Sequence, residues 1–380
     1  MNNLLVNFSE SKRTWQVEAS LPVSFTIHYS NNIFNPKNHD LINYSNDDRT
    51  LVVCDENVYN LYKDEIENYF STIKHERTLL TIKCSEPDKT WETTDRILSF
   101  FEENKVARRE PIIAIGGGVC LDIVGFACSI YRRGIPYIKI PTTLLAIVDA
   151  SVGVKVATNY FDRRNRLGAY YPPIATLIDK KFVKTQEQRE IVNGIAEIFK
   201  LAVIKSSELF ELLEENYKIL IDEKFQYGAV PVRVINLAIS EMIEELAPNL
   251  WEKELDRCVD FGHTFSPIIE MKNIETLLHG EAVTLDCLFS SCISYNRKLI
   301  EREDLIRIFD LAKNLKLPVA HKDFTDAMLI DKALSDTMKH RNNKQRIPVP
   351  VGIGNYKFIN DFSNIDRSNV IEIYKAYSLR

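Results

Sequence analysis

Three absences narrow the function of this chain: it has no long apolar run, no excess of basic residues and no CxxC pair. No segment approaches the roughly 18 consecutive apolar residues of a membrane-spanning helix, and the start MNNLLVNFSESKRTW lacks the regions of a secretory signal. The 48 basic residues face 53 acidic ones, for a net charge of -5, so no nucleic-acid surface is indicated. We expect a cytoplasmic protein that binds neither membrane nor nucleic acid.

Cysteine and histidine are both scarce, at seven residues each among 380. The odd number of cysteines and their place in apolar segments such as LVVCDE predict reduced core thiols rather than a disulfide framework. Because histidines are few, the two in DFGHTF and LLHGEA are informative about a possible site.

The chain is long enough for about two domains of roughly 150 residues each. Strand and helix patterns alternate between about residues 50 and 179, which predicts a parallel sheet covered by helices. Beyond Phe182 long segments of helical period follow, with few strand signals. The sequence therefore predicts an α/β domain at residues 1–181 and an α-helical domain at residues 182–380.

A glycine turn follows one of the predicted buried strands, in PIIAIGGGVCLDIVGF. Gly116, Gly117 and Gly118 would let the backbone and the next helix N-terminus approach an anion such as a pyrophosphate. A tight turn without a ligand is the alternative. Polar residues after two other strands favour binding, since ligands of open α/β sheets lie beyond the carboxyl ends of strands. These residues are Asp55, Asn57, Thr142 and Thr143.

A possible metal site combines Glu197 with His263 and His279. Glu197 and Lys200 share one face of a helix whose other residues are apolar, so both charges need buried partners. A surface ion pair and two core histidines are the ordinary alternatives. Together the glutamate and the two histidines would supply three ligands and leave an open position, as in catalytic zinc sites.

Basic residues after the α/β half suggest an anionic ligand. Lys155, Arg164 and Asn165 lie among glycines and aromatic residues in SVGVKVATNYFDRRNRLGAYY. Such a loop suits an anionic sugar, although most charged loops are only solvated.

The chain resembles dehydroquinate synthase and the related sugar phosphate cyclases. The resemblance rests on GGGVCLDIVGF, IPTTLLAIVDASVGVK, RRNRLGAYYPP, NGIAEIFK, DFGHTFSPIIE and LHGEAV, which occur in the family's order and spacing between about residues 50 and 350. It implies a Rossmann-like α/β domain followed by an α-helical domain, with NAD and a divalent metal, zinc or cobalt, in the cleft of a homodimer.

The resemblance also implies roles for individual residues. The expected NAD contacts are Asp55, Asn57, Glu86, Lys89, Gly116, Gly117, Gly118, Asp122, Thr142, Thr143, Leu145, Thr185 and Asn193. The expected metal ligands are Glu197, His263 and His279. The expected substrate-facing residues are Asp149, Lys155, Asn165, Lys200 and Arg164, the last in place of a family lysine, together with Arg133, which would cross to the neighbouring subunit's phosphate site.

Departures from the family pattern indicate which substrate is used. Dehydroquinate synthase holds its substrate carboxylate with a lysine and an arginine, where this chain has Met242 and Asp256. A carboxylate would be unpaired or repelled there, which disfavours the seven-carbon acid. Further departures are Asp260 for an asparagine and Pro267 for a histidine.

A sugar with a neutral end in place of the carboxylate fits these departures, and sedoheptulose 7-phosphate has such an end. Leu246, Asp260 and His340 resemble the set of the 2-epi-5-epi-valiolone synthases. The resemblance implies that Asp260 accepts hydrogen bonds from sugar hydroxyls and that His340 donates one or moves a proton. We therefore expect a phosphate-eliminating carbon–oxygen lyase in which NAD removes and returns a hydride before an aldol cyclisation. Desmethyl-4-deoxygadusol synthase, 2-epi-valiolone synthase, dehydroquinate synthase and a metal-dependent alcohol dehydrogenase are the alternatives.

Overall fold

The protein consists of an α/β half followed by a mainly helical half. A computed structural model describes residues 5–9, 14–18, 20–45, 49–161, 163–362 and 367–380. Its strands are β1 (Leu5–Ser9), β2 (Thr14–Glu18), β3 (Thr26–Tyr29), β4 (Arg49–Asp55), β5 (Glu76–Ile82), β6 (Ile112–Gly116), β7 (Tyr137–Pro141), β8 (Lys155–Tyr160), β9 (Arg163–Tyr170), β10 (Ala175–Ile178), β11 (Ile347–Pro350) and β12 (Tyr356–Ile359). Its helices are α1 (Glu56–Thr72), α2 (Trp91–Glu103), α3 (Gly118–Ile130), α4 (Gln188–Ile204), α5 (Ser207–Asp222), α6 (Val230–Leu246), α7 (Ser266–Lys272), α8 (His279–Asn296), α9 (Arg302–Asn314), α10 (Ala327–His340) and α11 (Arg367–Ser378).

Six parallel strands form the central sheet, in the order β3, β10, β7, β6, β4, β5. Its inner strands are apolar on both faces because helices cover both faces. Val52 of β4 packs in a cluster with Ile66 and Tyr69 of α1, whereas Leu51 and Val53 pack on the opposite face with Phe101 of α2. The predicted fold class, an α/β domain followed by an α-helical domain, is confirmed.

The sheet has a switch point that positions the candidate nucleotide residues. From β4 the chain moves outward to β5 and then returns to β6 on the other side of β4. Asp55 ends β4 and Gly116 ends β6, so both lie at the crevice where the direction of winding reverses. Open α/β sheets bind their ligands at such a crevice.

Helix α4 is the centre of the helical half. Every residue from Ile191 to Ile204 is buried, including the charged Glu197 and Lys200. Helix α8 crosses α4 so closely that the backbone N–H of Gly280 donates to Asn193 Oδ1 at 2.6 Å. Between β10 and α4 the structure changes from sheet to helices, and the predicted domain boundary after residue 181 falls in this segment.

Two parts of the fold were not expected from the sequence. The N-terminal segment, which carries no family motif, supplies the edge strand β3 through parallel pairing with β10. The predicted sugar-binding loop forms the antiparallel hairpin β8–β9. All seven cysteines are free, as predicted, and six of them are buried. No helix in the described part of the chain is long and apolar enough to cross a membrane.

We predict that Gly280→Ala destabilises the protein. An added Cβ would lie 2.2 Å from the backbone oxygen of Asn193, so α8 would have to move away from α4. Overpacking of this kind costs about 1–3 kcal/mol, which a lowered urea midpoint would report. Gly153→Ala is the control, because the nearest atom to its Cβ would be Leu246 Cδ1 at 3.6 Å. Equal midpoints for the two variants would contradict the prediction.

Candidate active site

A pocket of about 850 Å³ lies between the two halves of the protein. The α/β half contributes Asp122, Asp149, Lys155 and Asn165 to its wall, and the helical half contributes residues from α4, α6, α8 and α10. The helical side includes Lys200, Met242, Leu246, Asp260, His263 and His279. Most residues that the sequence predicted to face substrate are therefore brought together in one cavity.

Glu197, His263 and His279 come together beside this pocket, and the two histidines line it. One potential ligand atom from each lies within 4.8 Å of the other two. Glu197 is fully buried, and neither of its carboxylate oxygens accepts a hydrogen bond of ordinary geometry from the described residues. A carboxylate with unused lone pairs beside two imidazoles is a donor set that fits zinc or a similar divalent metal.

Electrostatic interactions keep Glu197 charged in spite of its burial. Burial alone would raise its pKa, but Lys200 and the two histidines hold the pKa well below its usual range. Lys200 Nζ lies 2.5 Å from Glu197 Oε2. Burial lowers the pKa of Lys200, but Glu197 and Asp149 raise it further, to about 12, so the ammonium stays charged.

The two histidines are oriented by acceptors at their Nδ1 atoms. His263 Nδ1 lies 3.3 Å from the backbone oxygen of Phe261. His279 Nδ1 lies 3.1 Å from Glu270 Oε2, while its Nε2 faces Glu197 Oε1 at 3.5 Å. A carboxylate behind a ligating histidine fixes the ring and raises its basicity. The Nε2 atoms, which do not contact these acceptors, would be the ones to bind a metal.

Arg164 connects this carboxylate to the α/β half. Its guanidinium pairs with Glu270 through Nη1 and with Glu86 through Nε, the latter at 3.0 Å. The sequence predicted that Arg164 faces substrate; in the structure both carboxylates hold its guanidinium and it is not among the residues that line the pocket, so its contact with substrate stays a prediction. Glu86, Arg164, Glu270 and His279 form a continuous ionic chain across the domain cleft, which we call the cleft chain.

The turn after β6 fits a nucleotide phosphate. Helix α3 begins after Gly117, and no side chain caps its first turn, so its N–H groups are open to an anion. A Cβ on Gly116 would meet Cys120 Cβ at 2.5 Å, so only glycine fits there. Thr142 Oγ1 is buried and has no partner among the described residues. Thr143 Oγ1 accepts from the N–H of Ala146 at 3.1 Å.

Other predicted NAD residues lie at or after the ends of β4, β5 and β7. Asp55 caps α1 by accepting from the N–H of Asn57 at 2.8 Å. Lys89 is buried, and its Nζ lies 2.6 Å from Asp122 Oδ2. The same Nζ donates to Asn165 Oδ1. Lys89 therefore connects a residue predicted to contact NAD with a residue predicted to face substrate. Leu145 is half-buried after β7.

Two predicted NAD residues make interactions with protein groups. Thr185 Oγ1 lies 3.1 Å from the hydroxyl of Tyr62 of α1. Asn193 is buried and is the residue that receives the N–H of Gly280. Its side chain therefore packs α4 against the start of α8, next to the candidate ligand His279.

The part of the pocket wall formed by Met242, Leu246, Arg257 and Asp260 carries little free positive charge. Met242 and Leu246 line it with apolar atoms. Asp256, expected from the sequence to face substrate, instead pairs with Arg346 at 2.8 Å and does not line the pocket. Its neighbour Arg257 lines the wall in its place.

Arg257 is neutralised by two carboxylates. It pairs with Glu252 and, at 2.6 Å, with Asp260 Oδ1. Arg341 approaches the second oxygen of Asp260 at 3.4 Å. Helix α10 ends at His340, whose side chain lies outside the described part of the structure, so its predicted substrate contact stays a prediction.

The remaining predicted substrate residues differ in their exposure. Asp149 lines the pocket, and burial together with Glu197 raises its pKa. Lys155 is 62% exposed and lies 3.0 Å from Glu252. Arg133 is exposed outside the pocket of its own chain, in a turn where Arg132 and Arg133 both have positive φ. The predicted contact of Arg133 with a second subunit stays a prediction.

Two family models match consecutive parts of the sequence. Residues 79–193 match the 3-dehydroquinate synthase N-terminal model, and residues 194–340 match the 3-dehydroquinate synthase C-terminal model. The chain belongs to the 3-dehydroquinate synthase family. Within this family it is 39% identical over 370 residues to a 2-epi-5-epi-valiolone synthase of Actinomyces sp, covering 94% of this chain and 97% of that protein.

Two further family members help to place the chain. It is 34% identical to a demethyl-4-deoxygadusol synthase of Trichormus variabilis, over 99% of this chain and 93% of that protein. A solved structure of the 2-epi-5-epi-valiolone synthase ValA from Streptomyces hygroscopicus subsp. jinggangensis, with NAD+ and Zn2+ bound, superposes with a TM-score of 0.91 at 39% identity. It covers 96% of this chain and 100% of that one.

Sequence reasoning missed Glu270, Glu252 and Arg257. Glu270 lies within the same DFGHTFSPIIE motif as His263, and an acidic residue on an otherwise apolar short helix was a signal that could have been used. Glu252 and Arg257 lie in a polar loop before that motif, where no spacing distinguishes them from solvated charges.

We predict that Glu270→Gln weakens zinc binding by about 10- to 100-fold, because the ring of His279 loses its charged acceptor. Zinc affinity measured by competition with a chromogenic chelator would report the change. Glu275→Gln is the matched control, since Glu275 lies five residues beyond Glu270, outside α7, and is exposed. Equal affinities for both variants would show that Glu270 does not orient His279.

We also predict that zinc binding at pH 6 releases about one proton. Burial lowers the pKa of His279, but Glu270 and Glu197 raise it to about 10, so this ring is protonated at pH 6 and must lose its proton to bind. Burial and Lys200 lower the pKa of His263 to about 4, so that ring is already neutral. Affinity should therefore rise with pH up to about 10.

Calorimetric titration in buffers of different ionisation enthalpy measures this number. A value near zero would mean that His279 binds without deprotonating, and a value near two would mean that His263 is also charged. Either result would contradict the electrostatic description of the site.

Proposed function

We propose that the chain is a sugar phosphate cyclase that converts sedoheptulose 7-phosphate to 2-epi-5-epi-valiolone with loss of phosphate. It would use NAD and a divalent metal, zinc or cobalt, and would be classed as a carbon–oxygen lyase. Relatives at 39–42% identity over more than nine-tenths of the chain carry the name of this synthase, and the ValA structure with NAD+ and Zn2+ shares the fold at a TM-score of 0.91.

The part of the pocket wall formed by Met242, Leu246, Arg257 and Asp260 is the observation that carries the choice of substrate. Met242 places an apolar side chain on this wall, and Arg257 has its charge taken up by Glu252 and Asp260. Among the described residues, a substrate carboxylate would meet there only cations that already have carboxylate partners, and it would lie near Asp260. A neutral polyol end instead finds the carboxylate oxygens of Asp260 as hydrogen-bond acceptors. This supports a sugar over the seven-carbon acid.

The residues of this chain divide the remaining work. When bound, the metal acidifies a substrate hydroxyl and NAD accepts and returns a hydride. Glu197, His263 and His279 would hold the metal, and the turn from Gly116 to Gly118 would hold the NAD pyrophosphate. Lys200 stays protonated and donates hydrogen bonds to substrate oxygens rather than taking protons from them.

Asp149 has the opposite character. Its raised pKa lets it take up a proton more readily than an ordinary aspartate, and it lies on the pocket wall with Lys200. The pair therefore offers a proton acceptor and a permanent donor side by side. Asn165, held by Lys89, adds a neutral donor from the α/β half.

We further propose that the active form is a homodimer in the cytoplasm, in which Arg133 reaches the neighbouring pocket. The side chain is exposed and follows a turn with two consecutive positive φ values, Arg132 at 49° and Arg133 at 67°. Strained backbone of this kind persists where surrounding contacts hold it, as an interface would.

The proposal predicts that the protein with sedoheptulose 7-phosphate, NAD and zinc releases phosphate without accumulating NADH. Glu197→Ala should abolish both phosphate release and zinc retention, because the pocket loses its only charged ligand. Phosphate release is followed colorimetrically, NADH by absorbance, zinc by elemental analysis, and the cyclitol by NMR. Glu215→Ala is the control, since Glu215 is exposed on α5.

Each alternative has its own result in this experiment. Steady NADH accumulation would identify an alcohol dehydrogenase, and turnover of the seven-carbon acid would identify a dehydroquinate synthase. Demethyl-4-deoxygadusol or 2-epi-valiolone in the NMR spectrum would keep the cyclase and correct the product. Near-normal activity of Glu197→Ala would overturn the metal assignment.

A further inference from the structure

The pocket wall includes five lysine and arginine side chains, and four of them already have carboxylate partners. Lys155 pairs with Glu252, Lys200 with Glu197, and Arg257 and Arg341 with Asp260. Arg166 is the fifth. Within the part of the chain that the structure describes, its guanidinium has no ion pair and no hydrogen bond.

A bulge in the hairpin β8–β9 turns Arg166 toward the pocket. Tyr160 pairs with Arg163 and Thr158 pairs with Leu167, so a single residue, Asn159, lies opposite three residues on β9. Extra residues of this kind re-aim side chains that a regular strand would place elsewhere.

The backbone at Asn165 shows how the bulge is fixed. Asn165 has a φ of 52°, and its N–H donates to Asn159 Oδ1 at 2.8 Å. A regular strand would place Arg164 and Arg166 on one face and Asn165 on the other. Instead Asn165 and Arg166 both line the pocket, while Arg164 turns away to the cleft chain.

The charge balance of the pocket makes this single arginine important. Five carboxylates, Asp122, Asp149, Glu252, Asp260 and Asp336, line the same wall as the five basic side chains. A cation that already has a carboxylate partner attracts an entering anion less than a free cation does. The planar fork of a free guanidinium binds phosphate oxygens through two parallel hydrogen bonds. A phosphate dianion gains most beside Arg166, the one of these five cations with no ion pair among the described residues.

We propose that Arg166 is a binding residue for the phosphate of the substrate and sets the end of the pocket at which that phosphate lies. This proposal rests on the proposed function for the identity of the substrate. The choice of a phosphate as the ligand does not depend on the proposed function, because a guanidinium without an ion pair can bind any phosphate monoester. Asn165, which precedes Arg166 on β9, lines the same pocket, as does Lys155 from the other end of the hairpin.

Arg163 provides a matched control. It lies on the same strand three residues before Arg166, is exposed, and does not line the pocket. Neutralising either arginine changes the net charge of the protein by the same amount. A difference between the two variants therefore reports a local contact rather than long-range attraction.

The test uses the protein loaded with NAD and zinc and compares wild type with Arg166→Gln, Arg166→Lys and Arg163→Gln. Binding of inorganic phosphate is measured by calorimetry, and KM and kcat are measured with sedoheptulose 7-phosphate. We expect Arg166→Gln to weaken phosphate binding and raise KM by about 10- to 100-fold, the loss typical of a charged hydrogen bond. We expect kcat to change less than threefold, Arg166→Lys to be intermediate, and Arg163→Gln to match wild type.

Two results would overturn the proposal. Arg166→Gln could bind inorganic phosphate as tightly as wild type, or Arg163→Gln could weaken it equally, which would make the effect one of net charge. If wild type does not turn over sedoheptulose 7-phosphate, the proposed function fails. The titration with inorganic phosphate would still decide the role of Arg166.

Discussion

One buried carboxylate imposes order on the active site. Glu197 is removed from water on a helix that is buried on every side, and an unpaired charge in such a place costs several kcal/mol. Lys200 and the two histidines compensate that charge, and Glu270 pairs with His279 in turn. Arg164 pairs with Glu270 and extends the network to Glu86 in the other half of the protein. The positions of residues from three helices, two loops and a hairpin thus follow from the requirement to balance a single negative charge.

The same network explains why the two halves form one site. The nucleotide turn belongs to the sheet, whereas the candidate metal ligands belong to α4, α8 and the loop before α7. Lys89, Asp122 and Asn165 join the nucleotide and substrate residues on one side of the pocket, and the cleft chain joins both sides. Chemistry that needs a hydride acceptor and a metal on the same substrate depends on this fixed separation, because small misplacements of reacting groups reduce rates strongly.

Much of this arrangement could be predicted from the sequence, and the limits of prediction have physical causes. The glycine turn and the helix that carries Glu197 follow from local patterns of apolar residues, and the order of motifs identified the family. Asp256 and Arg164 were predicted to face substrate from position alone. Their orientation depends on Arg346 in one case, and on Glu86 and Glu270 in the other, and all three partners are distant in sequence. Ion pairs between distant residues leave no periodic pattern in the sequence. The spacing of residues therefore cannot show which partner a charged side chain will bind.

The edge strand β3 carries a consequence for how freely the N-terminal segment can vary. It joins the sheet through main-chain hydrogen bonds to β10, and those bonds are the same for any residue except proline. The segment can therefore lose all resemblance to its relatives and still shield β10, whose four residues are buried. Without that shield, an apolar strand with unsatisfied backbone groups would face other molecules as a template for association. The part of the chain with no recognisable motif thus protects the protein from its own aggregation.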